Sequence, residues 1–205
     1  MRYSTVHRFC VLAVIITGGL LLAGCDSLGE GEETITLNNN TGLEPIVYKH
    51  QYSQEDVQEG IISVSASSEN SLDALLEKAA AASRSDIVSA KVTNVTFRRI
   101  TGKRTAFGDG PSEVSPKVFP YLSRAEVYLG GESGPLIATA EPVPVPENNR
   151  DVTMTLGTGA SDVASVLKNG DTLALLQLRL NDPDNVGEPF DEIEIKVSYS
   201  IEVSS

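Results

Sequence analysis

The amino-acid sequence predicts one all-β domain: an antiparallel β-sandwich of immunoglobulin-like or jelly-roll architecture, with one or two short helices. Short runs with a hydrophobic period of two follow one another along most of the chain, and turn-forming residues separate them. The regular alternation of strands with long helices that parallel sheets require does not occur. Because the chain has no tryptophan, it cannot carry the Cys…Trp…Cys signature of true immunoglobulin domains.

The first part of the domain is predicted to contain three short strands and a helix. Residues 34–38, 45–50 and 61–67 combine β-branched or aromatic residues with polar ones, as strands do. Ser71 is predicted to cap a helix, because apolar residues recur after it at helical spacing. These apolar residues are Leu72, Leu75, Leu76, Ala79 and Ala82.

A long strand is predicted at residues 87–100. Its apolar positions change phase between Val92 and Val95, and a β-bulge near Thr93 and Asn94 would return them to one face. Residues 101–120 include several prolines and are predicted to form a long loop.

The next elements are predicted to be a hairpin, a strand and a second helix. Residues 122–129 and 136–141 form the arms of the hairpin, and the glycines and proline of 130–135 form its turn. Alternating apolar residues predict a strand at 152–156. Ser161 is predicted to cap a short helix that ends before Gly170.

The last strand has the clearest pattern. Apolar side chains alternate there with polar ones, at Ile193, Ile195, Val197, Tyr199, Ile201 and Val203. This period predicts one buried face and one face in water, as in an antiparallel sheet. Residues 172–180 are nearly all apolar and predict a central strand covered on both faces. Turn residues between the two runs predict a hairpin with a long loop.

The amino terminus has the features of a targeting segment. Arg2 and Arg8 precede the apolar residues 9–22, a run too short to cross a bilayer comfortably. The run ends in the motif Leu22-Ala23-Gly24-Cys25. Here the chain resembles bacterial lipoprotein precursors, whose lipobox is an aliphatic residue, two small residues and a cysteine. The resemblance implies transfer of a diacylglyceryl group to the Cys25 sulfur, cleavage between Gly24 and Cys25, and acylation of the new amino terminus.

The predicted domain organisation follows from this motif. Residues 1–24 are a lipoprotein signal peptide, residues 25–33 carry the lipid and a flexible acidic tether, and residues 34–205 form a single β-sandwich domain. The protein is therefore expected outside the cytoplasm, anchored to a membrane through the acyl chains on Cys25. In lipoproteins of enteric bacteria an aspartate directly after the cysteine, like Asp26 here, tends to retain the protein at the inner membrane, whereas in some other phyla acidic residues soon after the cysteine accompany surface export. We expect the outer membrane rather than the inner one.

Composition excludes several function classes. The 205-residue chain has a formal charge of −12, and loss of Arg2 and Arg8 with the signal makes the mature chain more acidic. Such a chain is a poor partner for nucleic acid. Its two cysteines cannot form a disulfide framework, and acylation of Cys25 removes the thiol that would remain.

Two binding hypotheses concern charged segments. Asp182, Asp184, Asn185 and Glu188 lie before the last strand, and Ca²⁺ prefers such oxygen ligands. The alternative is a solvated turn, since acids, Asn, Pro and Gly also favour turns. The second segment concentrates basic residues that could contact an anionic envelope polymer or an acidic protein, at Arg98, Arg99, Lys103 and Arg104. Its alternative is a solvated strand end.

The sequence offers little for catalysis. His7 belongs to the signal, which leaves His50 as the single possible histidine base of the mature chain. A non-catalytic binding or structural role in the cell envelope is therefore expected, without a cofactor unless calcium binds. A carboxylate-dependent hydrolase acting on envelope or extracellular glycans is the alternative, and a calcium-stabilised adhesin-like module is a second one.

Overall fold

The computed structural model describes residues 33–100, 122–143, 151–170, 173–181 and 191–204. Residues Glu32–Ser205 form one compact unit. The described residues form eleven strands in two antiparallel sheets with two α-helices, and the predicted all-β sandwich is confirmed.

The strands, in chain order, are β1 (Thr34–Leu37), β2 (Ile46–Tyr52), β3 (Val57–Gln58), β4 (Ile61–Ser67), β5 (Ile87–Ile100), β6 (Leu122–Leu129), β7 (Leu136–Ala140), β8 (Val152–Thr153), β9 (Thr155–Leu156), β10 (Leu173–Leu180) and β11 (Asp191–Ser204). The helices are α1 (Leu72–Ala80) and α2 (Ala164–Lys168). The first sheet has β11 at its centre, with β1 and β2 along one side, β5 along the other, and β8 beyond β5. The second sheet has the order β3-β4-β10-β6-β7-β9.

The predicted alternation of β11 is confirmed. Its apolar positions are all buried in the core, namely Ile193, Ile195, Val197, Tyr199, Ile201 and Val203. The intervening polar positions form the outer face of the first sheet. A strand with this period buries every second side chain against the opposite sheet, which explains why it lies at the centre.

The predicted bulge in β5 is also confirmed. Val92 pairs with Tyr199 and Asn94 with Ser198, which leaves Thr93 as the extra residue. A second irregularity lies at the start of the strand, where Ile87 pairs with Val203 and Ser89 with Glu202, so that Val88 is extra. Each bulge shifts the alternation by one residue and keeps the apolar side chains of β5 facing the core.

The predicted hairpin between the last two strands is wrong. β10 pairs with β4 and β6 in the second sheet, whereas β11 pairs with β1, β2 and β5 in the first. The chain therefore crosses from one sheet to the other between them. A hydrophobic pattern predicts that a segment is a strand but not which strand it pairs with, and adjacent strands in the sequence need not lie in one sheet.

The prediction that β10 is covered on both faces is only partly correct. The inward residues Ala174, Leu176 and Leu178 are buried, and so is Leu175 on the outer face. Leu173 and Arg179 are exposed. The strand is central in its sheet, as predicted, but most of its outer face meets solvent.

The strand predicted at 152–156 is divided between the two sheets. β8 pairs with β5 in the first sheet and β9 with β7 in the second. Met154 is the buried residue between them, and its N–H donates to the carbonyl oxygen of Val95 at 2.9 Å. The alternating pattern correctly predicts extended structure here, but it does not show that the segment changes sheets at a bend.

The predicted hairpin at β6 and β7 is confirmed. Its turn depends on glycine, because a Cβ atom on Gly134 would lie 1.7 Å from the carbonyl oxygen of Leu129. Gly131 has a φ of +83°, which few other residues adopt.

The predicted amino-terminal cap is correct for α1 but not for α2. The Ser71 hydroxyl caps α1, accepting from the N–H of Ala74 at 3.5 Å, as expected. The Ser161 prediction is wrong. Ser161 ends a preceding 3-10 turn, and α2 begins later, with the Asp162 carboxylate accepting from the N–H of Ala164 at 3.1 Å. The residue at the N-cap position is Val163, which makes no side-chain cap hydrogen bond, so α2 begins without the serine cap that the sequence predicted.

Arg84 links both helices. Its Nε atom donates to Asp73 Oδ1 in α1 at 2.6 Å, and its Nη1 atom donates to the carbonyl oxygen of Leu167 in α2 at 3.3 Å. The second bond adds a charged donor to a carbonyl group near the carboxyl end of α2, which also accepts from the N–H of Gly170 at 3.3 Å. A cation is also favoured there by the helix dipole.

Replacement of Arg84 should therefore destabilise the domain. We expect Arg84→Ala to lower the free energy of unfolding by about 1–2 kcal/mol, mainly because a part-buried carbonyl loses a charged donor. The ion pair with the exposed Asp73 adds little. The matched control is Arg179→Ala, at an exposed position of β10, which should change stability by less than about 0.5 kcal/mol. Urea denaturation measures the free energy of unfolding of both variants. An equal loss of stability in the two would contradict the linking role of Arg84.

Candidate functional site

Most of the predicted site residues lie outside the described residues. They are Gly24 and Cys25 of the lipobox, Asp182, Asp184, Asn185 and Glu188 of the acidic segment, and Lys103 and Arg104 of the basic segment. The loop predicted at 101–120 lies outside them as well. The lipidation and calcium hypotheses therefore remain predictions. In the basic segment, Arg99 is placed by its backbone opposite Ile193, and Arg98 has described side-chain contacts.

Arg98 belongs to an ion-pair cluster on the outer face of the first sheet. Its Nη2 atom lies 2.6 Å from Glu194 Oε1, and its Nε atom lies 3.9 Å from Asp151 Oδ1. Lys196 Nζ lies 3.3 Å from the same Glu194 oxygen and 3.7 Å from Asp151 Oδ2. Two cations and two carboxylates thus face one another, so Arg98 is not an unpaired cation available to a basic patch.

Sheet register brings this cluster together. Arg98 in β5 lies directly opposite Glu194 in β11, and Lys196 follows Glu194 two residues later on the same face. Asp151 immediately precedes β8, the strand beyond β5. The cluster therefore connects the central strand of the sheet to its edge.

Glu194 is unusually buried for a residue on an outer face. Its side chain is only 8% exposed. Removing a carboxylate from water is costly unless cations compensate its charge, and Arg98 and Lys196 do so here. The sequence pattern assigned Glu194 to the face in water. Its burial could be inferred only if the pairing of Glu194 with Arg98 were already known.

His50 lies on the other side of the first sheet, inside the core. The residue is 1% exposed, and its Nε2 atom is 2.9 Å from the carbonyl oxygen of Ala174 in the second sheet. A carbonyl oxygen only accepts, so Nε2 carries the hydrogen in the neutral ring. The described residues provide no hydrogen-bond partner for Nδ1. His50 thus connects the two sheets by a buried hydrogen bond.

Burial lowers the pKa of His50 below its usual range, and the hydrogen bond to Ala174 offsets part of this change. The tyrosines Tyr48 and Tyr199 are also buried in the core. Burial raises the pKa of Tyr199 well above its ordinary value, and the neighbouring Tyr48 hydroxyl adds to the increase. Burial therefore favours the neutral forms of His50 and Tyr199.

A second polar arrangement lies on the outer face of β6. Arg124 Nη2 lies 2.6 Å from Glu126 Oε1, and its Nη1 atom lies 3.2 Å from Glu141 Oε2. Partial burial and the adjacent Glu126 raise the pKa of Tyr128. Positions two apart on a strand share one face, so this network follows the strand and joins it to the end of β7.

A shallow depression of about 440 Å³ lies beside α1, and its lining residues are Asn39, Gly42, Leu43, Glu44, Pro45 and Lys78. Lys78 Nζ lies 2.6 Å from Glu44 Oε1, and this contact lowers the pKa of Glu44. Both side chains are well exposed. The lining offers one solvated ion pair rather than the buried, convergent polar groups typical of a small-molecule site.

Among the described residues, no group of three or more histidine, cysteine or acidic side chains is arranged to hold a metal ion. No helix within the described ranges has the length and apolar character needed to cross a membrane. No protein-family model matches the chain, and a search of curated proteins finds no significant match.

The burial of His50 predicts that stability depends on pH. The folded pKa lies below the unfolded value of about 6.5, so the unfolded chain binds a proton first as the pH falls. The contribution of His50 to the free energy of unfolding is therefore fully present above about pH 7. As the pH falls below about 6.5, this contribution decreases by up to about 1.4 kcal/mol per pH unit. His50→Gln retains an amide donor toward Ala174 but has no ionisable ring, so it should remove the pH dependence of stability that His50 causes.

Urea denaturation of both proteins from pH 5 to 8 measures the effect, and the difference between them isolates His50 from the other titrating groups. Parallel stability curves across this range would contradict the proposed ionisation behaviour.

The ion-pair cluster makes a second prediction. Glu194→Gln removes the nearer and more buried of the two carboxylates that Arg98 and Lys196 share, and we expect a loss of about 1–2 kcal/mol in the free energy of unfolding. Glu192→Gln is the matched control on the same face of β11, and should have little effect. Thermal denaturation of the two variants compares them. A loss from Glu192→Gln as large as that from Glu194→Gln would indicate a general charge effect rather than the cluster.

Proposed function

We propose that this chain is a lipid-anchored protein of the bacterial cell envelope with a non-catalytic binding or structural role. The motif Leu22-Ala23-Gly24-Cys25 carries the proposal, because it follows a positively charged head and a short apolar core in the order typical of lipoprotein precursors. Acyl chains on Cys25 would hold the mature protein at a membrane surface. We expect the outer membrane, by likeness to lipoproteins in which acidic residues soon after the cysteine accompany surface export.

The contacts of the polar residues support a scaffold role for the domain. His50, the single histidine outside the signal segment, bonds the two sheets together and is enclosed by the core. A histidine base must reach a substrate proton, which this position does not favour. Glu194 and Asp151 share the cations Arg98 and Lys196, and this pairing favours a stabilising role for both carboxylates.

Lipidation is tested with the two cysteines of the precursor. In cells supplied with labelled palmitate, the wild-type protein and Cys10→Ser should incorporate the label, because Cys10 is removed with the signal. Cys25→Ser should not, because it lacks the thiol that receives the diacylglyceryl group. Separation of the inner and outer membranes then locates the labelled protein. Label on Cys25→Ser, or its absence from the wild type, would refute the anchor.

The non-catalytic role needs a separate test. Crosslinking in intact cells should capture an envelope protein or polymer that contacts the domain. Purified protein should leave envelope glycans intact. If the purified protein releases glycan fragments, and a carboxylate variant of unchanged stability does not, the hydrolase alternative would be established instead.

A further inference from the structure

Two exposed apolar side chains mark one end of the first sheet. Ile35 is 44% exposed and Val88 is 49% exposed. Ile35 lies opposite Val203 in β11, Val203 lies opposite Ile87 in β5, and Val88 is the extra residue beside Ile87. The two exposed residues therefore lie at the same level of the sheet, on strands on either side of β11.

The same end of the sheet receives the predicted lipid anchor. β1 begins at Thr34, which pairs with Ser204 at the end of β11. The segment from Cys25 to Glu33 can span at most about 29 Å when fully extended, at about 3.3–3.6 Å per residue. The chain therefore enters the domain beside Ile35.

The opposite end of the sheet is much farther from this entry point. Between Val203 and Glu192 the central strand rises by about 36 Å, at about 3.3 Å per residue. Gln51 pairs with Glu192 at that distant end. Of the two ends, the one with Ile35 and Val88 is held within reach of the lipid.

We propose that the end of the sandwich bearing Ile35 and Val88 contacts the lipid surface in which Cys25 is anchored. The proposal rests on lipidation of Cys25, as proposed above. The anchor raises the local concentration of this end near lipid, so a small apolar contact can form that would be too weak for an untethered domain.

The charges around this end indicate which kind of lipid it fits. Asp86 and Glu202 are acidic, and hydrogen bonds from Ser83 lower the pKa of Asp86. Attraction to anionic headgroups is therefore not the source of the contact. Burial of Ile35 and Val88 among the headgroups of a zwitterionic lipid fits better, and such a contact should be insensitive to salt.

A single-cysteine label tests the contact. Acylation blocks Cys25 and the signal carries away Cys10, so Val88→Cys provides a unique thiol in the full lipidated protein. Gln51→Cys provides the matched site at the distant end. Each is labelled with an environment-sensitive fluorophore and reconstituted into phosphatidylcholine vesicles with brominated acyl chains. We expect bromine to quench the label at position 88 and not the label at position 51, at low and high salt alike.

A second pair of variants separates the apolar contact from simple proximity. In the Val88→Cys protein, Ile35→Ser should reduce the quenching, whereas Leu173→Ser, at another exposed apolar residue, should not. Equal quenching in both would overturn the proposal.

The remaining outcomes are also distinct. Failure of the protein to float with vesicles would refute the lipid anchor itself, and with it the proposed function. Flotation without quenching at position 88 would leave the anchor intact and overturn the contact. An environmental change at position 88 that needs higher protein concentration but not lipid would identify a second copy as the occupant and equally overturn it.

Discussion

The structure depends on the pairing of β11 with three other strands. Every second side chain of this strand enters the core, and its backbone bonds to β1, β2 and β5. Since β1 begins at Thr34 and β11 ends at Ser204, the first strand of the domain pairs with the last. The first sheet is therefore incomplete until nearly the whole domain is present. Contacts so distant in sequence make folding slow, because a long loop must close before they form.

The same strand organises the polar groups that looked most promising for function. Glu194 on its outer face aligns with Arg98, and the strand also pairs with β2, which carries His50. In both places a group that could take part in chemistry instead connects elements of the scaffold. His50 joins the two sheets and Glu194 joins the centre of one sheet to its edge, which favours binding or support as the role of the domain.

Local patterns predicted much of this fold. Alternation defined β11, the phase change defined the bulge at Thr93, and helical spacing after Ser71 defined α1. These features are set by neighbouring residues, so the sequence contains enough information. The partner of β10 depends on residues far away in the chain, and the hairpin expected with β11 was therefore wrong. The burial of Glu194 has the same origin, since it follows from register with Arg98.

The proposed anchoring depends on Cys25, which the lipobox predicts to be the amino terminus of the mature protein. Mass spectrometry of protein extracted from membranes tests this directly. We expect an amino-terminal peptide that begins at Cys25 and carries the mass of a diacylglyceryl thioether and of an acyl chain on its amino group. A mature protein with an unmodified Cys25, or one that retains residues 1–24, would contradict it.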